Sequence, residues 1–256
     1  MEKKKLVAAT KKSILTITKY TVRQKRCWAL VAQKLNEYIP LEKVNEFWED
    51  KGLKYLEQFI PFNHLGEFVM ELDPNDIVSR GKSVKPTLEK LLKEDITMNE
   101  NESCQLGFSF LSYYEMKDGH CYIGLSARCV RWVLGINRDN LFSTFHIGSF
   151  MRLSSSTAMD IFLYISGHYN QPQWRESIVN LKKRFALPED YDNKKFFERI
   201  LGSSKKELIR QQSLLAFEYN PIKEVNFFKK GRKAYVEVEF TLYELKDGEY
   251  ISVVRK

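Results

Sequence analysis

Asp192-Asn-Lys-Lys-Phe-Phe-Glu-Arg-Ile-Leu-Gly-Ser-Ser-Lys-Lys-Glu-Leu-Ile-Arg-Gln211, with Phe227-Phe-Lys-Lys-Gly-Arg-Lys-Ala-Tyr235 downstream, decides the reading of this chain. Residues 192–233 hold eleven Lys/Arg against five Asp/Glu, a net +6 in a protein whose total is +8. Wound at 100° per residue, Lys195, Arg199, Lys206 and Arg210 fall within about 60° of one another. Phe197, Ile200, Leu201 and Leu208 take the opposite side. The spacing predicts a helix over about 193–212, apolar on one face and cationic on the other. Strands over 214–226 and 234–245 then pair across the turn Lys229-Lys-Gly-Arg-Lys233. A basic helix followed by a basic hairpin is the layout of a winged helix, one element for a DNA groove and the other for the adjacent backbone.

Bulk properties permit this and exclude other classes. At 256 residues and 43 % apolar content, the chain suits one large domain or two small ones with packed cores. It has no run of 18 apolar residues, so no transmembrane helix and no membrane partner are expected. Met1-Glu-Lys-Lys-Lys-Leu-Val-Ala-Ala-Thr10 is followed by no long apolar stretch or cleavage site. A secretory signal is therefore not expected, and the reading is cytoplasmic. Cys27, Cys104, Cys121 and Cys129 lack CxxC spacing and lie in apolar or strand-like surroundings, which predicts reduced, buried thiols. Charge is uneven along the chain: about +9 over residues 1–36, about −7 over 37–103, then the basic stretch at 192–233. Two basic zones flanking an acidic one suit two contact surfaces on one polyanion, although Lys3, Lys4, Lys5, Lys11 and Lys12 equally suit a solvated tail.

Both halves share one order of elements. A short strand at 14–17 precedes Thr21 and Gln24, a capping-box spacing, and Val22, Trp28, Val31, Leu35 and Tyr38 continue as a helical stripe to about residue 39. Residues 40–66 are apolar-rich without a clear period. A strand at 68–72 follows, then a short helix behind Asp73-Pro74. A further helix is expected from Ser83 to about Asp95, with Val84, Leu88, Leu91 and Leu92 inward. Strands at 105–114 and 120–126 flank Lys117-Asp-Gly119, a hairpin signal. In the second half, 158–169 is apolar on most faces and reads as a buried helix. A short strand at 174–176 follows, Ser177 caps a helix over 178–185, and the basic helix and hairpin come next. Lys246-Asp-Gly-Glu249 suits one more hairpin. The expected fold class is α+β: two tandem winged-helix domains, residues 1–145 and 146–256, each a small helical bundle with a β-hairpin.

The spaced elements Met151-Arg-Leu-Ser154, Ile161-Phe-Leu-Tyr-Ile165, Leu181-Lys-Lys-Arg-Phe185, Tyr191-Asp-Asn-Lys-Lys-Phe-Phe-Glu-Arg-Ile-Leu201, Lys206-Glu-Leu-Ile209 and Lys229-Lys-Gly-Arg-Lys233 together resemble the C-terminal half of iteron-binding plasmid replication initiators. The resemblance covers about residues 145–245; the first half is similar only in element order and in its opening helix. It implies two winged-helix domains, the second docking its long helix in the major groove of a repeated origin sequence. It further implies that the first domain supports DNA contact in monomers and forms the interface in homodimers. Such dimers repress their own gene, and monomers open the origin and recruit the host initiator and the replicative helicase.

The residues themselves suggest how double-stranded DNA would be held. Lys194, Lys195, Arg199, Lys205, Lys206 and Arg210 can approach phosphates or base edges, arginine being suited to a bidentate contact with guanine. Gln211 and Gln212 can read adenine but sit late in the helix. Lys229, Lys230, Arg232 and Lys233 would grip phosphates, brought together by Gly231. In the first domain Lys82 and Lys85, with Arg80 and Lys90, form a weaker set diluted by Glu89 and Glu94. Enzymatic readings find less support. His64, His120, His146 and His168 are isolated, with no His-x-His spacing for a metal, and no phosphate-binding Gly-x-x-x-x-Gly-Lys-Ser/Thr motif is present. Acidic pairs such as Asp73/Asp76 and Glu189/Asp190 lie at helix starts, where carboxylates cap. The aromatic residues follow helix and strand periods, which points to core packing rather than base stacking. No catalytic residue, metal or cofactor is expected. A winged-helix repressor or partition-type DNA binder is the alternative, and a nucleic-acid enzyme with unrecognised carboxylates a distant third.

Overall fold

The computed structural model describes residues 6–10, 17–38, 67–78, 81–101, 104–134, 142–226 and 232–253. Lys3, Lys4, Lys5, Lys11, Lys12, residues 40–66, Arg80, Lys229 and Lys230 lie outside the described residues, as does most of the strand expected at 14–17. The chain is mixed helix and sheet and divides into two compact units, Leu6–Thr144 and Phe145–Lys256. Among the described residues, no helix is long and apolar enough to cross a membrane.

The first unit opens on strand β1 (Leu6–Thr10), a 3-10 turn at Ile17–Lys19, and helix α1 (Val22–Tyr38). The helix starts where its capping residues are. Thr21 N donates to Gln24 Oε1 at 3.0 Å and Gln24 N to Thr21 Oγ1 at 3.4 Å, a reciprocal pair that satisfies two otherwise orphaned amides. Its inner stripe of Trp28, Val31, Ala32 and Leu35 is fully buried. Strand β2 (Glu67–Leu72) follows, and Asp73 caps the single turn α2 (Pro74–Ile77), proline first. Helix α3 (Lys85–Lys93) turns Leu88 and Leu91 inward, with Val84 buried at its start.

From here the structure departs from the reading of the sequence. The helix expected to reach Asp95 ends at Lys93, and Asp95–Asn101 is a strand, β3, antiparallel to β4 (Cys104–Ser109). The single strand expected over 105–114 is two, β4 and β5 (Tyr113–Lys117), separated where Phe110 and Leu111 are both fully buried. Two consecutive inward side chains are incompatible with strand alternation, so the chain bends there. β5 and β6 (His120–Ser126) form the expected hairpin, with Asp118 and Gly119 at φ 51° and 82°. Both angles are positive, as a type I′ turn requires. β6 is central to the order β2-β6-β5.

At Gly124 on β6 an added Cβ would overlap the Tyr113 ring on the paired strand. Gly124→Ala is expected to destabilise this unit by about 1–3 kcal/mol through overpacking, measured as a lower urea midpoint at unchanged slope. A midpoint equal to wild type would show that the ring moves freely.

Helix α4 (Ala127–Leu134) follows β6 with no Gly or Pro to mark the change of period, which is why the sequence did not announce it. The overlooked signal is Ser126, whose Oγ accepts from Cys129 N at 3.1 Å as a cap. Trp132 lies edge-on to Phe110 at 6.0 Å. Cys27, Cys121 and Cys129 are buried free thiols, as expected, and burial raises all three pKa values, that of Cys121 to about 11. The unit closes with β7 (Phe142–His146), which pairs with β1.

In the second unit, His146 Nδ1 accepts from Ser149 N at 3.1 Å and starts helix α5 (Ile147–Arg152). β7 and α5 were not anticipated, because a histidine is an uncommon cap. Helix α6 (Ser156–Ser166), capped by Ser155, is buried at every position from Ala158 to Ser166, the all-round burial its composition implied. Strand β8 (Gln173–Ser177) leads into α7 (Ile178–Arg184), where Ser177 Oγ accepts from Asn180 N at 3.1 Å. A long helix, α8, spans 193–210, and three strands complete the unit: β9 (Leu215–Asn226), β10 (Arg232–Lys246) and β11 (Glu249–Ser252). β10 pairs with β9 along one edge, and with β8 and then β11 along the other. Asp247 and Gly248, at φ 50° and 88°, repeat the turn of the first unit.

The core between α6 and this sheet is aromatic. Trp174 stacks on His168 at 4.3 Å and on Phe240 at 5.0 Å, with interplanar angles of 8° and 10°. Its Nε1 donates to Tyr164 Oη at 2.8 Å. The histidines thus serve packing and capping: His168 stacks, His146 caps, and His120 sits exposed beside Glu71. His64 lies outside the described residues.

Candidate nucleic-acid interface

Helix α8 begins where Asp192 caps it, Oδ1 accepting from Lys195 N at 2.8 Å. It is not an uninterrupted α-helix. One α turn (Asn193–Lys195) passes into a π segment (Phe196–Gly202) and then into α-helix again (Ser203–Arg210). Side chains hold the wide turns open. Tyr219 Oη, from β9, donates to Phe197 O at 3.0 Å, and Ser203 Oγ donates to Glu198 O at 3.1 Å. A Cβ at Gly202 would stand 3.0 Å from Phe197 O and 3.4 Å from Tyr219 Oη, so the segment closes around a residue without one.

The inner face buries Phe196, Phe197, Leu201, Ser204 and Leu208, and Ile200 is half-buried. Lys194, Lys195, Arg199, Lys206 and Arg210 are all exposed, as the amphipathic reading required. Strict 100° spacing nevertheless fails across the π segment. An i→i+5 turn takes one residue more than an α turn, so Lys206 is set back by roughly 100° relative to Lys194 and Lys195. Arg199, inside the segment, is turned part of the way. Lys206 therefore falls nearer the line of Lys194 than that of Lys195, and the narrow stripe becomes a broader face.

The acidic residues and the remaining lysine on this helix are engaged within the unit. Glu207 Oε1 accepts from Ser154 N at 2.6 Å, Ser154 Oγ at 3.0 Å and Ser155 N at 3.0 Å, at the start of α6. Lys205 is half-buried and paired with Glu218 on β9, so it is less available to a ligand than its neighbours. Lys194 lies 3.9 Å from Glu198, but at 82 % exposure such a pair is weak and leaves the amine in solvent. Lys195, Arg199, Lys206 and Arg210 have no side-chain hydrogen bond or ion pair among the described residues.

The helix ends at Arg210. Gln211 and Gln212 belong to the turn beyond it, Gln212 at φ 47°, with its carbonyl accepting from Arg152 Nη2 at 3.0 Å. Ser149 Oγ accepts from Leu214 N at 2.8 Å, and Tyr250 Oη donates to Ser213 O at 2.9 Å, fixing the path into β9.

Strands β9 and β10 carry the second basic group. β8 covers β10 only from Glu237 onward, so the stretch with Arg232 and Lys233 opposite Asn226 and Val225 is a two-stranded arm. The register shifts between Tyr235 and Glu237, a β-bulge where the arm leaves the sheet. Tyr235 lies 4.9 Å from Phe197 of the π segment, and Lys223 Nζ sits 4.4 Å over the Tyr235 ring. Lys229 and Lys230, between β9 and β10 in sequence, lie outside the described residues. In the first unit Lys82 is exposed before α3 and Lys85 is exposed at its first position, 3.9 Å from Glu89. The sequence pointed to the basic residues but not to the π segment, Tyr219 or the inward bonds of Lys205 and Glu207. The one local hint was Gly202-Ser-Ser204, three poor helix formers inside a helix.

The arrangement is a mixed helix-and-sheet fold presenting a cationic helix and a two-stranded arm. That fold is shared with a known initiator: the crystal structure of Pi initiator protein in complex with iteron DNA matches with a TM-score of 0.68, covering 96 % of this chain and all of the other at 14 % identity. No protein-family model and no curated protein matches the chain.

Proposed function

We propose that this chain is a sequence-specific replication initiator that binds repeated origin sites in double-stranded DNA. Each unit acts as a winged-helix domain. The second docks α8 in the major groove and grips phosphates with the arm through Lys229, Lys230, Arg232 and Lys233. The observation that carries this reading is an unpartnered cationic helix face packed beside a basic arm, on a fold shared with a protein solved on iteron DNA. Arginine on the helix reads base edges and lysine on the arm neutralises phosphate, a division of specificity and affinity common to such interfaces. The first unit supplies auxiliary contacts through Lys82 and Lys85 and the homodimer interface. The dimer represses the chain's own gene, and the monomer opens the origin and engages the host initiator and replicative helicase without covalent chemistry.

Binding-site selection with the purified chain tests the reading. Recovery of a sequence repeated beside the gene at roughly 17–22 base pairs, near two duplex turns, is the expected result. A single short palindrome over the promoter would instead make the protein a repressor, and no preferred sequence would overturn the proposal. Replacing Lys229, Lys230 and Lys233 by Ala should weaken binding to every sequence and reduce the salt slope by about 1 for each phosphate no longer neutralised. Loss confined to the preferred site would remove the arm from its assigned role.

A further inference from the structure

Interruptions of α geometry cost intrahelical hydrogen bonding, and in α8 the interruption is held in place from outside the helix. Tyr219 reaches from β9 to Phe197 O, Gly202 gives the carbonyl room, and Ser203 secures Glu198 O. Phe197 stacks on Tyr219 with ring centroids 6.2 Å apart and meets Tyr235 at 4.9 Å, tying the segment to β9 within the sheet and to β10 at the base of the arm. The basic residues divide around it: Lys194 and Lys195 precede the segment, Arg199 lies within it, and Lys206 and Arg210 follow.

We propose that the π segment is a specificity-setting element, with Tyr219 and Gly202 as positioning residues. The rotation it introduces turns Lys206 and Arg210, which follow the segment, about the helix axis relative to Lys195 and Arg199, giving two reading groups that address different base steps of one site. This rests on the DNA-binding reading above. The geometry of the duplex supplies the reason. An 18-residue helix is about 27 Å long at 1.5 Å per residue, whereas the major groove curves away from any straight rod laid in it. A narrow straight stripe meets base edges only near its middle. A face that turns around the helix axis follows the groove and keeps both ends in register with bases. Because Phe197 also contacts Tyr235, the same segment fixes the angle between helix and arm.

The test compares wild type, Tyr219→Phe, Gly202→Ala and the double variant in titrations against the selected site and every single-base change in it. Tyr219→Phe keeps the ring and removes only the hydroxyl bond, so it reports even if the double variant folds poorly. Thermal midpoints and circular dichroism accompany each titration. Discrimination at base positions assigned to one reading group, by the Arg199→Ala and Arg210→Ala profiles, should fall by about tenfold, the scale of a single bidentate interaction. Positions read by the other group should keep theirs, and the salt slope should stay unchanged. A uniform loss at all positions, or an unaltered profile, would overturn the inference while leaving the DNA-binding reading in place. Absence of any sequence preference in wild type would remove that underlying reading instead.

Discussion

Replacing Arg199 and Arg210 together by Ala is expected to abolish preference for the repeated site while leaving non-specific DNA binding and the thermal midpoint nearly unchanged. The expectation follows from where the two side chains stand. Both are exposed on α8 and neither has a hydrogen bond or ion pair among the described residues. Surface substitutions of this kind usually change stability by no more than about 0.5 kcal/mol. Binding is different, because a bidentate arginine–guanine pair discriminates by about 1–3 kcal/mol. Removing two such pairs at once corresponds to a fall of roughly 30-fold to 20,000-fold in affinity for the preferred site. Titrations at one fixed salt concentration, on the selected site and on a scrambled duplex, measure this directly. If preference survives in the double variant, α8 is not the reading element.

The largest effect on stability is expected from Trp174→Ala. Trp174 is 6 % exposed, sandwiched between His168 and Phe240, and its indole N–H donates to Tyr164 Oη. Truncation opens a cavity between α6 and the sheet at a cost of about 3–5 kcal/mol. It also removes the hydrogen-bond donor to the buried Tyr164 hydroxyl, which adds about 1 kcal/mol or more. Burial already holds the Tyr164 phenol well above its ordinary pKa, so ionisation offers it no relief. For a unit of this size the loss corresponds to a fall of about 10–25 °C in midpoint, readable by calorimetry as displacement of one transition. Trp174→Phe retains a ring in the stack and should fall by less than half as much. Equal midpoints for Ala and wild type would mean that the aromatic layer does not hold this unit together.

Helices with local start signals were legible from sequence. Thr21 with Gln24, Asp73 with Pro74, and Ser177 each lie within three residues of the amides they serve, and each begins a helix as expected. The Asp-Gly turns at 118–119 and 247–248 were legible for the same reason, since their backbone demand is met by two adjacent residues. What escaped depended on residues distant in sequence. The break between β4 and β5 follows from Phe110 and Leu111 both entering the core, where Phe110 lies edge-on to Trp132 of α4 and to Tyr20, just ahead of α1. The π segment escaped because 100° spacing presupposes an α-helix, and the group that breaks that rule, Tyr219, lies on another element. The exposed basic face of α8 was legible because charge is visible in composition. The pairing of Lys205 with Glu218 was not, because it crosses from helix to strand.

The bonds made by α8 fall on different residues from those it displays. Glu207 and Lys205 look inward to α6 and β9, Phe197 and Gly202 fix the turn, and Lys195, Arg199, Lys206 and Arg210 hold nothing in place. Exchange of those four side chains leaves no cavity and no orphaned partner. On the proposed DNA-binding reading, drift in a target repeat could be followed by changes at those four positions, one at a time, without passing through an unstable intermediate. On that reading retargeting and folding are separable in this helix, which makes the same four positions the ones to randomise when a new target sequence is wanted.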